Sequence, residues 1–171
     1  VDARLMQQMG IQMVRMAEFS WHKLQPQEDV FDFQWLDEAI ALLADYGIYT
    51  ILGTPTAAPP AWLIQKHPEI LPIDREGRVR GFGGRHHDCQ SNPIYREAIR
   101  RLVTEMAKHY GENPWVIGWQ PDNELGNSHQ ELCTCDSCRQ HFQKWLEKKY
   151  QSTEALNAAL GTAFWSQEYN D

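Results

Sequence analysis

Short strand-like segments alternate with amphipathic helical segments along this chain, and no other feature of the sequence restricts the fold as much. Apolar runs of strand length occupy residues 12–19, 48–52 and 116–119. A helical pattern follows each run, and another precedes the first. Strands that alternate with helices pair in parallel, because the helix serves as the crossover between neighbouring strands. The sequence therefore predicts an α/β fold with a parallel sheet.

Capping residues predict where the main helices begin and end. Asp2, Asp32 and Asn92 stand at N-cap positions, and Pro93 occupies the first helical position after Asn92. The predicted ends of these helices are the glycines at positions 10, 47 and 111. Further along the chain, two more helices are predicted at 142–150 and 153–160.

Two architectures accept such a parallel unit, an open doubly wound sheet and a (β/α)8 barrel. No G-x-G-x-x-G or phosphate-loop signature follows a strand, which disfavours a nucleotide-binding sheet. A closed barrel needs about 250 residues. This chain has 171 residues, so if it forms a barrel it can be only one part of it. A long loop at 54–91, rich in Pro and Gly, is of the kind that carries function.

Composition and charge exclude several classes of partner. The chain has 23 acidic residues against 16 Lys and Arg, and a net charge of −7, which argues against nucleic acid. No apolar run approaches the roughly 20 residues that cross a bilayer, so no membrane partner is expected. Apolar residues make up 42%, enough for a packed core. Because the chain begins with Val1 rather than Met, we expect that its true N-terminus is missing.

An Asn-Glu pair, Asn123 and Glu124, directly follows the third predicted strand. Reactive groups of parallel α/β folds lie at the C-terminal ends of strands, because the loops there vary without disturbing the core. Trp119 and Pro121 frame the pair, and partly apolar surroundings would raise the pKa of a carboxyl enough for general acid catalysis. The alternative is a solvated acidic loop, since acidic loop residues are usually exposed.

Segments at the ends of all three strands resemble glycoside hydrolase family 42, whose β-galactosidases have a (β/α)8 catalytic domain. They are RMAEFSW (15–21), GTPTAAPPAWL (53–63) and WQPDNELG (119–126). The likeness continues in FQWLDEA (33–39) and GTAFWSQ (161–167), and so runs through nearly the whole chain. The resemblance implies that the 171 residues are an incomplete part of one TIM-barrel domain. They would carry strands two to four, with the first strand and four C-terminal strands missing.

The resemblance also implies roles for individual residues. Glu124 matches the family's general acid/base, and Asn123 matches the residue that hydrogen-bonds the sugar 2-hydroxyl. Arg85, in the segment GGRHHDC, matches an Arg that contacts sugar and orients the carboxylates. The implied activity is retaining hydrolysis of terminal β-D-galactosides. A retaining enzyme needs a second carboxylate about 5 Å from the first. The family places it after the seventh strand, beyond this segment, and nothing supports Glu18 as a substitute.

Two other functions remain open at this point. One is a related α-L-arabinopyranosidase, whose sugar resembles galactose without the hydroxymethyl group. The other is a non-catalytic carbohydrate-binding module stabilised by zinc. The segment alone is expected to be inactive, because it lacks the nucleophile. Family members are often homotrimers, so a homo-oligomer is possible for the full-length protein.

Four cysteines form a candidate metal site: Cys89, Cys133, Cys135 and Cys138. Three of them lie within six residues, and thiolates at such intervals can converge on one Zn²⁺. Disulfides fit less well in so tight a turn, whereas four free thiols in a reducing cytosol remain an alternative. The resemblance implies a four-cysteine zinc site at these positions. The zinc would be structural, because four thiolates leave no place for an activated water. A cytoplasmic location is favoured.

Other conspicuous side chains are expected to be structural. His86 and His87 are predicted to be ordinary loop histidines, exposed like most polar loop residues. Trp35 and Trp145 lie on predicted helices and are expected in the core. Trp119, at a strand end, either stacks on a sugar ring or packs in the core.

Overall fold

A computed structural model of the chain describes residues 2–125, 132–162 and 167–170. Within these residues, strands and helices alternate as predicted. The elements in chain order are α1 (Asp2–Gln8), β1 (Met13–Met16), α2 (Trp21–Leu24), α3 (Gln34–Asp45), β2 (Tyr49–Gly53), α4 (Ala61–Lys66), α5 (Pro93–Tyr110), β3 (Val116–Gln120), α6 (Asp136–Tyr150) and α7 (Thr153–Leu160). Gly126 and residues 163–166, which belong to the family-like segments, lie outside the described residues.

The three strands form one parallel sheet in the order β1-β2-β3. β1 and β2 pair without interruption from Met13 opposite Tyr49. Between β2 and β3 the register shifts, so that Ile51 lies opposite Gly118 and Ile117 is passed over. Consecutive strands are neighbours and helices connect them, as parallel pairing requires. The predicted α/β fold is confirmed.

The main core lies between one face of this sheet and the helices α3 and α5. Leu36 and Ile40 of α3, Leu102 and Met106 of α5 and Leu52 of β2 are all at most 2% exposed. Residues four apart lie on the same side of a helix, so each helix presents an apolar stripe to the sheet. Burying one such side chain contributes about 1.5–3 kcal/mol. This packing holds the strand ends, and therefore the loops after them, in fixed positions.

The opposite face of the sheet is far more exposed. Met13 of β1 and its partner Tyr49 of β2 are 50% and 41% exposed. In a closed barrel the strands turn one face to the helices and the other to the barrel interior. The uncovered face is thus the one that a part of a barrel leaves open.

Two short helices occupy loops in which no helix was predicted. α2 and α4 have four and six residues, too few to show helical periodicity in the sequence. Their apolar residues are nevertheless buried: Trp21 and Leu24 in α2, and Leu63 and Ile64 in α4. Tertiary packing therefore stabilises these helices, as it does most short helices in proteins.

Two predicted boundaries differ from the structure. β1 ends at Met16 rather than near Phe19, because Ala17 has a φ of 82° and turns the chain out of the extended conformation. Helix α3 begins at Gln34, one residue later than a cap at Asp32 implies. The Asp32 carboxylate still accepts a hydrogen bond from the backbone N–H of Gln34, at 3.0 Å.

The prediction that Trp35 and Trp145 belong to the core is wrong. Their exposed fractions are 40% and 51%. Trp145 stacks on Phe142 with ring centres 5.8 Å apart, and no residue of α6 is buried in the described part of the chain. Helical position gives the side of the helix on which a residue lies, but not whether another element covers that side.

Gly53, at the end of β2, is a position where a side chain would collide with the backbone. A Cβ there would lie 2.7 Å from Cβ and 3.0 Å from Cα of Glu18. Gly53→Ala is expected to lower the thermal unfolding midpoint by several degrees, since such overpacking costs about 1–3 kcal/mol. Gly118→Ala is the matched control, because its Cβ would meet Ile51 at an ordinary 3.7 Å. Equal midpoints for the two variants would contradict this expectation.

Candidate active site

Asn123 and Glu124 lie in a sharp turn directly after β3. Asp122 and Glu124 both have left-handed backbone conformations, with φ of 58° and 52°. Asn123 is only 5% exposed, and its Nδ2 has no hydrogen-bond partner among the described residues. A buried amide donor without a partner is costly unless a ligand or water satisfies it. The turn therefore presents a hydrogen-bond donor and a carboxylate at the C-terminal edge of the sheet.

Arg85 contacts Glu124 across 39 positions of sequence. Its Nη1 donates a hydrogen bond to Glu124 Oε2 at 2.8 Å, and the Glu124 side chain is 50% exposed. The guanidinium carbon also lies 5.9 Å from the ring centre of Phe19, a cation–π distance. Among the described residues the carboxylate thus meets a cation and solvent, whereas apolar surroundings were expected from Trp119 and Pro121. The structure does bring Arg85, Asn123 and Glu124 to one edge.

A buried polar network lies beneath this turn. The Asp122 carboxylate accepts hydrogen bonds from Thr56 Oγ1 at 2.8 Å and from the Asn123 N–H at 2.5 Å. The Asp122 N–H donates to Thr54 Oγ1 at 2.7 Å. Both threonines follow β2, so the loop after one strand holds the loop after the next. The sequence interpretation assigned no function to these three residues.

His86 belongs to the same network, and the prediction that the two loop histidines are exposed is wrong. His86 and His87 are each 3% exposed. His86 Nε2 lies 2.5 Å from the Asn123 carbonyl oxygen and 3.8 Å from Asp122 Oδ1. His87 Nδ1 lies 2.5 Å from the Gly84 carbonyl oxygen. General loop statistics could not reveal this burial, because it arises from packing against a distant loop.

Glu18 takes a structural position near the end of β1. Its Oε1 accepts a hydrogen bond from Arg15 Nε at 3.2 Å, while Arg15 Nη1 donates to Gln120 Oε1 at 2.6 Å. The Glu18 backbone also packs against Gly53. These contacts link β1, β2 and β3 at one edge of the sheet.

The four cysteines converge, as predicted. Their Sγ atoms all lie within 4.8 Å of one another, and Cys89 Sγ lies 3.4 Å from those of Cys135 and Cys138. All four are free thiols rather than disulfides. Four thiolates around one Zn²⁺, with Zn–S of about 2.3 Å, place the sulfurs roughly 3.8 Å apart, so the spacing fits a tetrahedral site. Burial raises the pKa of the Cys89 thiol far above its usual range, so a cation is needed to stabilise its thiolate.

The cysteine cluster ties together the loops that carry the candidate active-site residues. Cys89 follows Arg85 by four residues, and its N–H donates to the Ile70 carbonyl oxygen at 2.8 Å. Thr134, between two of the cysteines, donates through its N–H to the Ile73 carbonyl oxygen at 2.8 Å. Residues 133–138 are thereby held against the loop that leads to Arg85.

Among the described helices, none combines the length and the apolar character that crossing a membrane requires.

Comparisons with known proteins identify the relatives of this chain. The sequence model of glycoside hydrolase family 42, described as β-galactosidase, matches residues 1–171. A β-galactosidase of Thermus thermophilus is 53% identical over 168 residues, which are 98% of this chain and 26% of that protein. The β-galactosidase BgaH of Haloferax lucentense is 42% identical over 99% of this chain and 26% of its own length. The chain thus spans about a quarter of the length of these curated relatives.

Solved structures give the same answer for the fold. A β-galactosidase from the psychrophilic Marinomonas ef1 superposes with a TM-score of 0.95 at 46% identity, covering 99% of this chain and 26% of that one. The enzyme from Halorubrum lacusprofundi superposes with a TM-score of 0.95 at 45% identity, covering 99% of this chain and 25% of that one. The three-stranded parallel unit is therefore part of a TIM barrel, as predicted. On these matches, the chain belongs to glycoside hydrolase family 42.

Proposed function

We propose that this chain supplies the general acid/base side of a retaining β-galactosidase active site. Residues 1–171 would form part of one catalytic barrel domain, and terminal β-D-galactosides would be the substrates. The observation that carries the proposal is the arrangement at the sheet edge. Glu124 pairs there with Arg85, beside the buried Asn123 Nδ2, which has no hydrogen-bond partner in the described part of the chain. The two curated relatives described above are both named β-galactosidases, which supports the substrate class.

In this proposal Glu124 acts twice. It first protonates the leaving-group oxygen, and it then removes a proton from the water that attacks the glycosyl-enzyme. Arg85 holds one carboxylate oxygen at 2.8 Å and so limits the rotation of the side chain. Half of the Glu124 side chain remains open to solvent, which leaves room for a substrate to approach.

Asn123 and a second carboxylate complete the proposed chemistry. The Asn123 amide would donate to the sugar 2-hydroxyl, a contact that strengthens as positive charge develops at the anomeric carbon. The nucleophile would be a carboxylate about 5 Å from Glu124, supplied by residues outside this segment. Glu18 does not serve in that role, because Arg15 and the backbone near Gly53 already engage it.

We also propose that the cysteine cluster holds one structural Zn²⁺. Four sulfur ligands suit Zn²⁺, and they leave no coordination position for a reacting water. The ion would brace the loops that carry Arg85 and Glu124 and would take no part in bond breaking. A homo-oligomer, a trimer in the family pattern, and a cytoplasmic location stay predictions of the resemblance.

The test compares two substrates on the complete protein that contains this segment. We expect a higher kcat/KM for 4-nitrophenyl β-D-galactopyranoside than for 4-nitrophenyl α-L-arabinopyranoside. NMR during hydrolysis should show β-galactose as the first product, because two inversions restore the configuration. Preference for the arabinoside would instead favour the arabinopyranosidase, and α-galactose as the first product would contradict the retaining mechanism. The 171 residues alone should give no turnover, since they lack the nucleophile.

A further inference from the structure

We propose that His86 and Asp122 are positioning residues that set the direction of the Glu124 carboxyl group. This inference rests on the proposed role of Glu124 as the general acid/base. It extends that role to two buried side chains that do not themselves reach the substrate. Their contacts act on the backbone of the turn rather than on the carboxylate.

The turn around Asn123 requires support from its surroundings. Left-handed conformations cost non-glycine residues about 1–2 kcal/mol each, although Asp tolerates them better than most. Asp122 and Glu124 both adopt them. Such a backbone persists only where neighbouring contacts stabilise it. The contacts that hold this turn therefore decide where the Glu124 side chain points.

His86 holds the peptide group that joins Asn123 to Glu124. Because a carbonyl oxygen only accepts hydrogen bonds, the 2.5 Å contact requires His86 Nε2 to carry the proton. The plane of this peptide group also contains the Glu124 nitrogen, so its orientation sets φ of Glu124. A rotation of the plane would swing the Glu124 side chain away from its present position.

Asp122 holds the other side of the same turn. Its two carboxylate oxygens accept hydrogen bonds from Thr56 Oγ1 and from the Asn123 N–H, and Oδ1 lies 3.8 Å from His86 Nε2. Asp122 is 8% exposed. Carboxylates accept at both oxygens, whereas an amide in the same place accepts at only one. Asp122→Asn therefore keeps the shape of the side chain, removes its charge and turns one of the two acceptor oxygens into a donor.

Two consecutive residues of one loop thus hold both the side chain of Glu124 and the peptide group that precedes it. Arg85 pairs with the carboxylate, and His86 holds the preceding peptide group. The position of His86 is itself fixed, because its N–H donates to the Ala57 carbonyl oxygen at 2.8 Å. An acid that must reach a leaving-group oxygen loses much of its effect when displaced, since a 1 Å error can cost about 10²-fold in rate.

The experiment separates misalignment of the acid from general damage. A 2,4-dinitrophenyl β-galactoside has a leaving group that departs without a proton, whereas an unsubstituted phenyl β-galactoside needs the acid. kcat/KM reports only the steps up to the glycosyl-enzyme, so it isolates this proton transfer. The selectivity is the ratio of the two kcat/KM values, measured in the complete protein.

We expect His86→Ala to lower kcat/KM for the phenyl substrate by about 10–100-fold, with little change for the dinitrophenyl substrate. His86→Gln should recover much of the loss, because its amide can donate to the Asn123 carbonyl. Asp122→Asn should shift the selectivity in the same direction by a smaller factor. His109→Gln, on the surface of α5 and paired with Asp37, is the control and should leave the selectivity unchanged.

Equal losses on both substrates, or no change of selectivity, would overturn the positioning role. If His86→Ala does not fold, judged by circular dichroism and thermal midpoint, the comparison of His86→Gln and Asp122→Asn with the wild type decides in its place. Glu124→Gln distinguishes this failure from that of the proposed function. If Glu124→Gln itself shows no selective loss on the phenyl substrate, the acid/base assignment fails first.

Discussion

Replacing Glu124 with Gln in the complete protein is expected to lower kcat/KM for an unactivated β-galactoside by about 10²–10⁴-fold, the usual contribution of a general acid. Gln has nearly the shape of Glu and can still contact Arg85, but it cannot deliver a proton. Steady-state assays with phenyl and dinitrophenyl β-galactosides would measure the effect, and the phenyl substrate should suffer most. Glu97→Gln is the matched control, because Glu97 also pairs with an arginine, Arg100, on an exposed surface.

A second variant of the same residue adds a chemical test. In the proposed mechanism, Glu124→Ala leaves space beside the anomeric carbon and removes the base that activates water. Azide, which needs no base, is then expected to restore turnover of the dinitrophenyl substrate and to yield β-galactosyl azide. Full activity of Glu124→Gln would instead support the non-catalytic carbohydrate-binding module. Loss of activity without azide rescue would indicate a different role for Glu124.

Removal of the metal is the change expected to affect stability most. We expect the complete protein to contain one Zn²⁺ per cysteine cluster, measured by elemental analysis, and Cys135→Ser to lose it. Metal binding at structural zinc sites is worth on the order of 10 kcal/mol in isolated peptides. In a folding unit of 150–250 residues, a loss of several kcal/mol would lower the thermal midpoint by roughly 10 °C, at about 2–4 °C per kcal/mol, and the shift is smaller in a larger unit.

The kinetic effect of metal removal should follow from geometry alone. We expect KM to rise and kcat to fall as the loops of Arg85 and Glu124 loosen, while the stereochemical course stays retaining. Ser137→Ala, in the first turn of α6 between Cys135 and Cys138 but not itself a thiol, is the control and should keep both metal and midpoint. A metal-free protein with unchanged stability and kinetics would show that the cluster has no structural role. Loss of hydrolysis with an unchanged thermal midpoint would indicate that the metal ion takes a direct part in the chemistry.

Much of the fold was predictable because it depends on patterns that are local in sequence. The helix α5 shows this best, since its Asn92 cap accepts hydrogen bonds from the N–H groups of Ile94 and Tyr95, as the Asn-Pro dipeptide indicates. The short helices α2 and α4 were not predictable, because only burial of their apolar residues stabilises them. The exposure of Trp145 was not predictable either. Its helix has an apolar side, but none of the described elements covers that side.

The candidate site divides in the same way. Asn123 and Glu124 could be singled out because they follow a strand, and Arg85 because of its family-like segment. The sequence did not reveal that Arg85 reaches Glu124, or that the Glu124 carboxylate is half exposed. His86 was interpreted as an ordinary loop histidine. In the structure it contacts the carbonyl oxygen of Asn123, a residue 37 positions further along the chain.

By itself, the sequence determined the family, the order of strands and helices, and the residues that can carry chemistry. Each of these depends on side-chain type and on spacing along the chain, which the sequence contains directly. Only the tertiary structure decided that Arg85 hydrogen-bonds to the Glu124 carboxylate while His86 contacts the carbonyl oxygen of Asn123. That arrangement depends on contacts between segments far apart in the chain. Polar side chains become buried there because packing excludes water, and a buried polar group without a hydrogen bond is costly.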